Sequence, residues 1–178
     1  MKNQYSLIYK ATVGADFLTK SIEKGNNVIQ LQLWDTAGTE RFHSMGTSFY
    51  RNSVLCVLVF DLTNPESFNN VEMWRKTFLD QLQPQNPEAF PFVLIGNKMD
   101  MEGEITVNNE DIQKYCKDHN NMPYFSASAK ESTNVEEAFN KVADLAYEKN
   151  VKEEEEFVPP SNINVQIQKP VQKKGCCK

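Results

Sequence analysis

Two apolar runs constrain the fold more than anything else in this chain: Val54-Leu-Cys-Val-Leu-Val-Phe60 and Phe90-Pro-Phe-Val-Leu-Ile95. Both predict strands, and the first, a continuous apolar run, is of the kind buried on both faces. Such strands need helices above and below them. The first run, read as a strand over Ser53–Phe60, is far too short to cross a bilayer.

The intervening segments supply those helices. Asn64-Pro65 marks a helix start, with Asn as cap and Pro in the first turn. Phe68, Val71, Trp74 and Phe78 follow at helical spacing and predict a face turned to the sheet. Residues 109–120 predict a second helix and Pro123–Ser126 a short strand. The last helix is expected from Asn134, with Glu137 placed as in a capping box. Its apolar stripe is Val135, Ala138, Phe139, Val142, Leu145 and Ala146.

Ahead of all this, residues 15–34 read as an antiparallel hairpin. Ile29, Leu31 and Leu33 alternate with Gln30 and Gln32, and Glu23-Lys-Gly-Asn-Asn27 supplies the turn. The class is therefore α/β, a mostly parallel sheet with helices on both faces. In such sheets ligands bind in the loops beyond the carboxyl ends of the strands.

At 178 residues the chain fits one domain, and 40% hydrophobic with 24% charged residues is a globular composition. A net charge of -5 with no basic stripe argues against nucleic acid as a partner. Met1–Lys10 lacks the apolar core of a secretory signal. Cys56 and Cys116 read as free thiols in a reducing compartment, whereas Cys176 and Cys177 are adjacent and lie outside any core.

Three loops fall where the strand-end rule places a site. In Trp34-Asp35-Thr36-Ala37-Gly38 the carboxylate can hold magnesium through water, and Gly lets a backbone N–H approach a phosphate oxygen. The same pattern is also an ordinary turn. In Asn97-Lys98-Met99-Asp100 a carboxylate can accept from the ring N–H and exocyclic amine of guanine. Adenine has no donors at those positions. The Lys98 stem can lie along the base, and Asn97 can tie the loop to its neighbours. In Ser126-Ala127-Ser128-Ala129-Lys130 the backbone N–H groups can meet the guanine carbonyl oxygen.

In this order, each at a strand end, the three loops resemble those of the Rab branch of the Ras-like small GTPases. The likeness runs from about residue 5 to about residue 150. It is carried by Tyr9-Lys-Ala-Thr-Val-Gly-Ala-Asp-Phe17, Trp34-Asp-Thr-Ala-Gly38, Glu40-Arg-Phe42, Phe49-Tyr-Arg51, Asn97-Lys-Met-Asp100 and Ser128-Ala-Lys130. Gly14-Ala-Asp-Phe-Leu-Thr-Lys20 and Pro123-Tyr-Phe125 look most like the Rabs of late endosomes and lysosomes.

The resemblance implies GTP/GDP and Mg2+ as ligands, bound by Thr12, Asp35, Thr36, Ala37, Gly38, Asn97, Lys98, Asp100, Ser128, Ala129 and Lys130. Thr12 would touch the metal directly and Asp35 through water. Phe17, Trp34 and Phe49 look like the aromatic trio that presents the switches to effector proteins. An exchange factor, a GTPase-activating protein and the prenylation machinery are the other implied partners.

Two departures qualify this. Thr39 stands where the family carries the Gln that orients the attacking water, and it is too short to span the same gap. Slow intrinsic hydrolysis is expected. In addition, no G-x-x-x-x-G-K-[ST] occurs anywhere in the 178 residues. That loop cradles the phosphates and supplies a magnesium ligand. The expected fold is thus a three-layer P-loop GTPase-like one lacking the first strand, the phosphate loop and most of the first helix. Because the family's first strand lies inside the sheet, its neighbours are expected to lose ladder partners and to bind nucleotide poorly.

Residues 1–150 read as the GTPase domain and 151–178 as a flexible tail. Lys169, Lys173, Lys174 and Lys178 surround Cys176-Cys177, which resembles the paired-cysteine endings of Rabs and implies double prenylation. The ending is not C-a-a-X, since Gly175 occupies the fourth position from the end. The expected function is a guanine-nucleotide switch in vesicle transport, peripheral on late endosomal, lysosomal or phagosomal membranes. The alternative is a non-hydrolysing interaction protein that keeps the effector and membrane surfaces. A dehydrogenase-like enzyme is disfavoured, because no G-x-G-x-x-G follows a strand.

Overall fold

The computed structural model describes residues 11–25, 27–38 and 50–156. Among these, the central element is β4, Phe92–Asn97, whose first five residues are all buried. It pairs in parallel with β3, Cys56–Asp61, on one side and β5, Tyr124–Ser126, on the other. Val57 lies opposite Val93 and Leu94 opposite Tyr124. The apolar run of β4 thus does what a doubly buried strand requires, presenting Leu94 to one layer and Val93 and Ile95 to the other.

On the first face, Leu58, Phe60, Phe92 and Leu94 pack with Val71 and Phe78 of α2, Val71–Leu82, and with Ile112 and Cys116 of α3, Asn109–Asp118. On the second, Val93 and Ile95 meet Ala138, Val142, Ala143 and Ala146 of α4, Val135–Glu156. The small residues of α4 let the helix approach the sheet closely. Burial pushes the Cys116 thiol up, and that of Cys56 to about 12, as expected of unreactive free thiols.

Gly96 owes its identity to crowding. A Cβ there would come within 2.9 Å of Leu62 Cδ2 and of the Tyr124 hydroxyl and 3.0 Å of Phe60 Cζ. No L side chain fits that space without moving its neighbours.

The hairpin forms as its alternation predicts, from β1, Ala15–Lys24, and β2, Asn27–Thr36. Gly25 turns the chain at φ +59°, a conformation that favours glycine. Only Ile22 of β1 is buried. With Leu31 of β2 it joins the core beneath α4, and Lys24 Nζ reaches Asp144 of α4 at 2.8 Å. The hairpin is nevertheless a sheet of its own. Among the described residues no ladder joins it to β3-β4-β5, and the contacts shown with α4 are made by side chains.

Several boundaries differ from expectation for local reasons. β3 begins at Cys56 rather than Ser53 and runs one residue further, to Asp61. The helix after Asn64 is two pieces: α1, Pro65–Asn69, capped by the Asn64 side chain at Glu66 N, and then α2 after a break at Asn70. α4 starts after Asn134, whose backbone is left-handed at φ 58°, and whose side chain donates to the Ser126 carbonyl at 2.8 Å. α4 continues through Val151 to Glu156.

Candidate functional site

Because β4 and β5 are parallel neighbours, their carboxyl ends deliver two loops to the same place. The loops are bonded to each other by side chains 28 to 32 residues apart in sequence. Asn97 Oδ1 accepts from the Ala129 N–H at 3.0 Å, as the tying role read for Asn97 requires. Ser128, wholly buried, donates its hydroxyl to Asp100 Oδ1 at 2.6 Å and accepts the Glu131 N–H at 3.0 Å. Met99 N–H donates to the Ala127 carbonyl at 3.0 Å, closing the cross-link with a backbone bond.

The Asp100 carboxylate is thereby fixed in place before any ligand arrives. Its second oxygen lies 3.7 Å from Lys130 Nζ. The Ser128 hydroxyl bond, opposed by partial burial and reinforced by Lys130, holds the Asp100 carboxyl below its ordinary value. An oriented, ionised carboxylate is an acceptor suited to paired N–H donors.

The backbone N–H groups of Ala127, Ser128 and Ala129 donate to Gly96 O, Thr133 O and Asn97 Oδ1. The cause is proximity: an N–H beside a carboxamide in a half-buried loop bonds to it rather than remain unpaired.

Lys98 reaches across to the neighbouring strand. Its backbone is left-handed at φ 67°, and its Nζ lies 2.6 Å from Asp61 Oδ2 at the end of β3. Asp61 was not singled out from the sequence. The signal was present, an acidic residue at a strand end, but the strand was read as ending one residue early. Asn134 was read only as a helix cap, whereas its amide ties the start of α4 to the carbonyl of Ser126 at the end of β5.

The remaining strand-end loop singled out in the sequence lies on the hairpin. Asp35 and Thr36 close β2, and Ala37 and Gly38 follow. Ala37 N–H donates to the Gly14 carbonyl at 2.9 Å, which draws the segment ahead of β1 alongside the end of β2. Thr12 Oγ1 in consequence lies 3.4 Å from Asp35 Oδ2, a long contact at an exposed position. These two oxygen ligands suit a hard divalent cation that completes its shell with water and phosphate. Among the described residues no group of three or more His, Cys, Asp or Glu side chains can hold a metal by itself.

Phe17 and Trp34 face each other across the hairpin register, with ring centroids 4.8 Å apart. At 48% and 47% exposed they form a surface pair rather than core. Thr39, Phe49, Cys176 and Cys177 lie outside the described residues.

Residues 1–148 match the Ras family. The chain is 48% identical over 170 residues to the Ras-related protein Rab-7a of Paramecium octaurelia, covering 95% of this chain and 82% of that protein. It is 46% identical over 173 residues to the Ypt/Rab-type GTPase ypt7 of Schizosaccharomyces pombe, covering 95% and 84%. It is 43% identical over 179 residues to the Ras-related protein Rab-7a of Dictyostelium discoideum, covering 99% and 86%.

Proposed function

The chain belongs to the Ras family of small GTPases, in its late-endosomal Rab branch, and from that membership we propose that it is a guanine-nucleotide switch of vesicle traffic on late endosomal and lysosomal membranes. One observation carries the nucleotide half of this reading: two strand-end loops, cross-linked by Asn97–Ala129 and Asp100–Ser128, hold one carboxylate ready for a pair of donors.

The residues fit the ligand unevenly. At the base end, Asp100 accepts from the N–H groups of guanine, and Ser128 and Asn97 hold the loops at fixed spacing. At the phosphate end, Thr12 and Asp35 offer oxygen ligands, and Gly38 offers a backbone N–H unobstructed by a side chain. Magnesium, when bound, neutralises charge on the phosphate oxygens. Thr39 occupies the position of the water-orienting Gln and is too short to span the same gap. Slow hydrolysis is the part of the reading that rests on it.

Cys176 and Cys177 are the proposed prenylation sites, set among lysines that favour anionic lipid. Residues 151–178 would act as the tether of a GTPase domain over 1–150. Among the described residues no helix is long and apolar enough to cross a membrane. Effectors are expected to engage the Phe17–Trp34 pair, an exchange factor and a GTPase-activating protein the switch loops. That exposed pair also favours the second reading, an interaction protein that no longer needs nucleotide.

Equilibrium binding of a fluorescent guanine nucleotide with magnesium, against an adenine competitor, decides between them. Guanine-selective binding lost by about a hundredfold in Asp100→Ala, the value of a charge-assisted bidentate pair, is the expected result. Failure of the unsubstituted chain to bind either nucleotide would sink the switch and leave the interaction protein.

A further inference from the structure

We propose that Asp61 is a positioning residue of the base site, acting through Lys98. The proposal rests on the guanine reading above and adds a residue to it from a third strand. Lys98 is two residues before Asp100 and leaves β4 in the left-handed conformation, at φ 67°. Non-glycine residues adopt that conformation at a cost, and they keep it where the surroundings require it. The turn directs the side chain across to the neighbouring strand, where Nζ lies 2.6 Å from Asp61 Oδ2.

Asp61 is itself rigidly held. Its Oδ1 accepts from the Thr63 N–H at 2.9 Å and from the Thr63 hydroxyl at 2.7 Å. Its backbone N–H donates to Ser67 Oγ at 2.9 Å, and that hydroxyl sits 3.2 Å from the Asp61 carbonyl and 2.7 Å from that of Asn64. One carboxylate oxygen is thus fixed by Thr63, and the other faces Lys98. The carboxylate is 22% exposed and the lysine 51%, so one end of the pair is anchored while the other lies at the surface.

The consequence is a fixed path for the Lys98 stem. With Nζ anchored on β3 and Cα at the end of β4, the methylenes run between the two strand ends on the rim that also carries Asp100. A flexible lysine would spend rotamer entropy on covering a planar base; an anchored one has already lost it. Asp61 thereby makes Lys98 a preformed edge of the site without touching the ligand.

The test combines a ligand-free and a ligand-bound measurement on the full chain. Asp61→Asn retains the Oδ1 acceptor for Thr63 and removes the charge facing Lys98. In the absence of nucleotide, acylation of Lys98 by an amine-reactive ester, read by peptide mass spectrometry, should accelerate severalfold relative to Lys76. With guanine nucleotide and magnesium, Asp61→Asn should weaken binding roughly two- to fivefold, the range of a partly exposed ion pair. The same substitution in a Lys98→Ala background should add nothing, and Asp61→Glu should restore part of the loss.

Additive losses in that cycle, or an unchanged acylation rate, overturn the role of Asp61 while leaving the guanine reading intact. An unsubstituted chain that binds no guanine nucleotide overturns that reading, and the positioning role with it; the acylation rates then report the ion pair alone.

Discussion

Asp100 and Thr12, assigned to the two ends of the proposed nucleotide site, rest on unlike supports. Asp100 follows β4, buried along its first five residues, and is bonded to a wholly buried Ser128. Thr12 precedes β1, where only Ile22 is buried, and meets Asp35 in one long, exposed contact. The base end is cross-linked by side chains and backbone from two paired strands. The end assigned to phosphate is carried by a hairpin whose contacts with the rest, among the described residues, include Ile22, Leu31 and an ion pair from Lys24 to Asp144 of α4. Preorganisation, in this chain, follows burial of the supporting strand. On the proposed reading, the end assigned to the base is rigidly supported and the end assigned to phosphate loosely.

The sharpest way to break that comparison is to remove the same atoms from both supports. Leu94 on β4 is fully buried, and Leu18 on β1 is 49% exposed. Leu94→Ala should cost about 2–5 kcal/mol, through lost transfer energy and the cavity left behind. Leu18→Ala should change stability by about 0.5 kcal/mol or less. Urea denaturation of the two variants measures both. Comparable losses would mean that the hairpin is as tightly integrated as the parallel sheet.

A second experiment addresses the chemistry of the looser end. If Thr39 is too short to orient water, Thr39→Gln should accelerate single-turnover GTP hydrolysis by roughly tenfold or more, since positioned proton-transfer groups contribute at least that much. An unchanged rate would place the defect elsewhere at the phosphate end, in the support rather than in the residue.

How far these regions were legible in the sequence follows the same division. The hairpin was legible because alternation of Ile29, Leu31 and Leu33 is a local signal. β4 was legible because an unbroken apolar run has few other uses, but the reading of β3 as buried on both faces fails, since Val59 is 59% exposed where Leu58 and Phe60 are buried. The bonds that make the base site were legible only in part. Asn97 could be given a tying role from its position, but its partner, Ala129, is 32 residues away and appears only when β4 and β5 pair. The Lys98–Asp61 pair depends on a left-handed turn that composition does not announce. The break at Asn70 within the Asn64–Leu82 helical segment likewise leaves no mark in the apolar spacing, since Phe68, Val71, Trp74 and Phe78 all join the same core.

The smallest expected effect tests whether the base end is as preorganised as its bonds imply. Ser128 lowers the Asp100 carboxyl below its ordinary value, so folding is favoured when that group is ionised. The sign is that of a depressed carboxylate: the contribution is complete above the unfolded value, about pH 4, and is lost as pH falls through the folded one. Ser128→Ala should raise the Asp100 midpoint toward its ordinary value, which the carboxyl carbon shift reports in an NMR titration. Asp61 serves as the internal control. Burial pushes its carboxyl up, bonds from Lys98 and Thr63 more than reverse this, and Ser128 is not among the causes of its shift. The substitution also strips the Glu131 N–H of its acceptor, which costs stability at every pH. Only the part due to Asp100 should shrink on acidification, so the gap between the two urea midpoints should narrow from pH 6 to pH 3 without closing. If the Asp100 midpoint does not move, the Ser128 hydroxyl does not hold that carboxylate, and the contrast between the two ends of the site loses its main support.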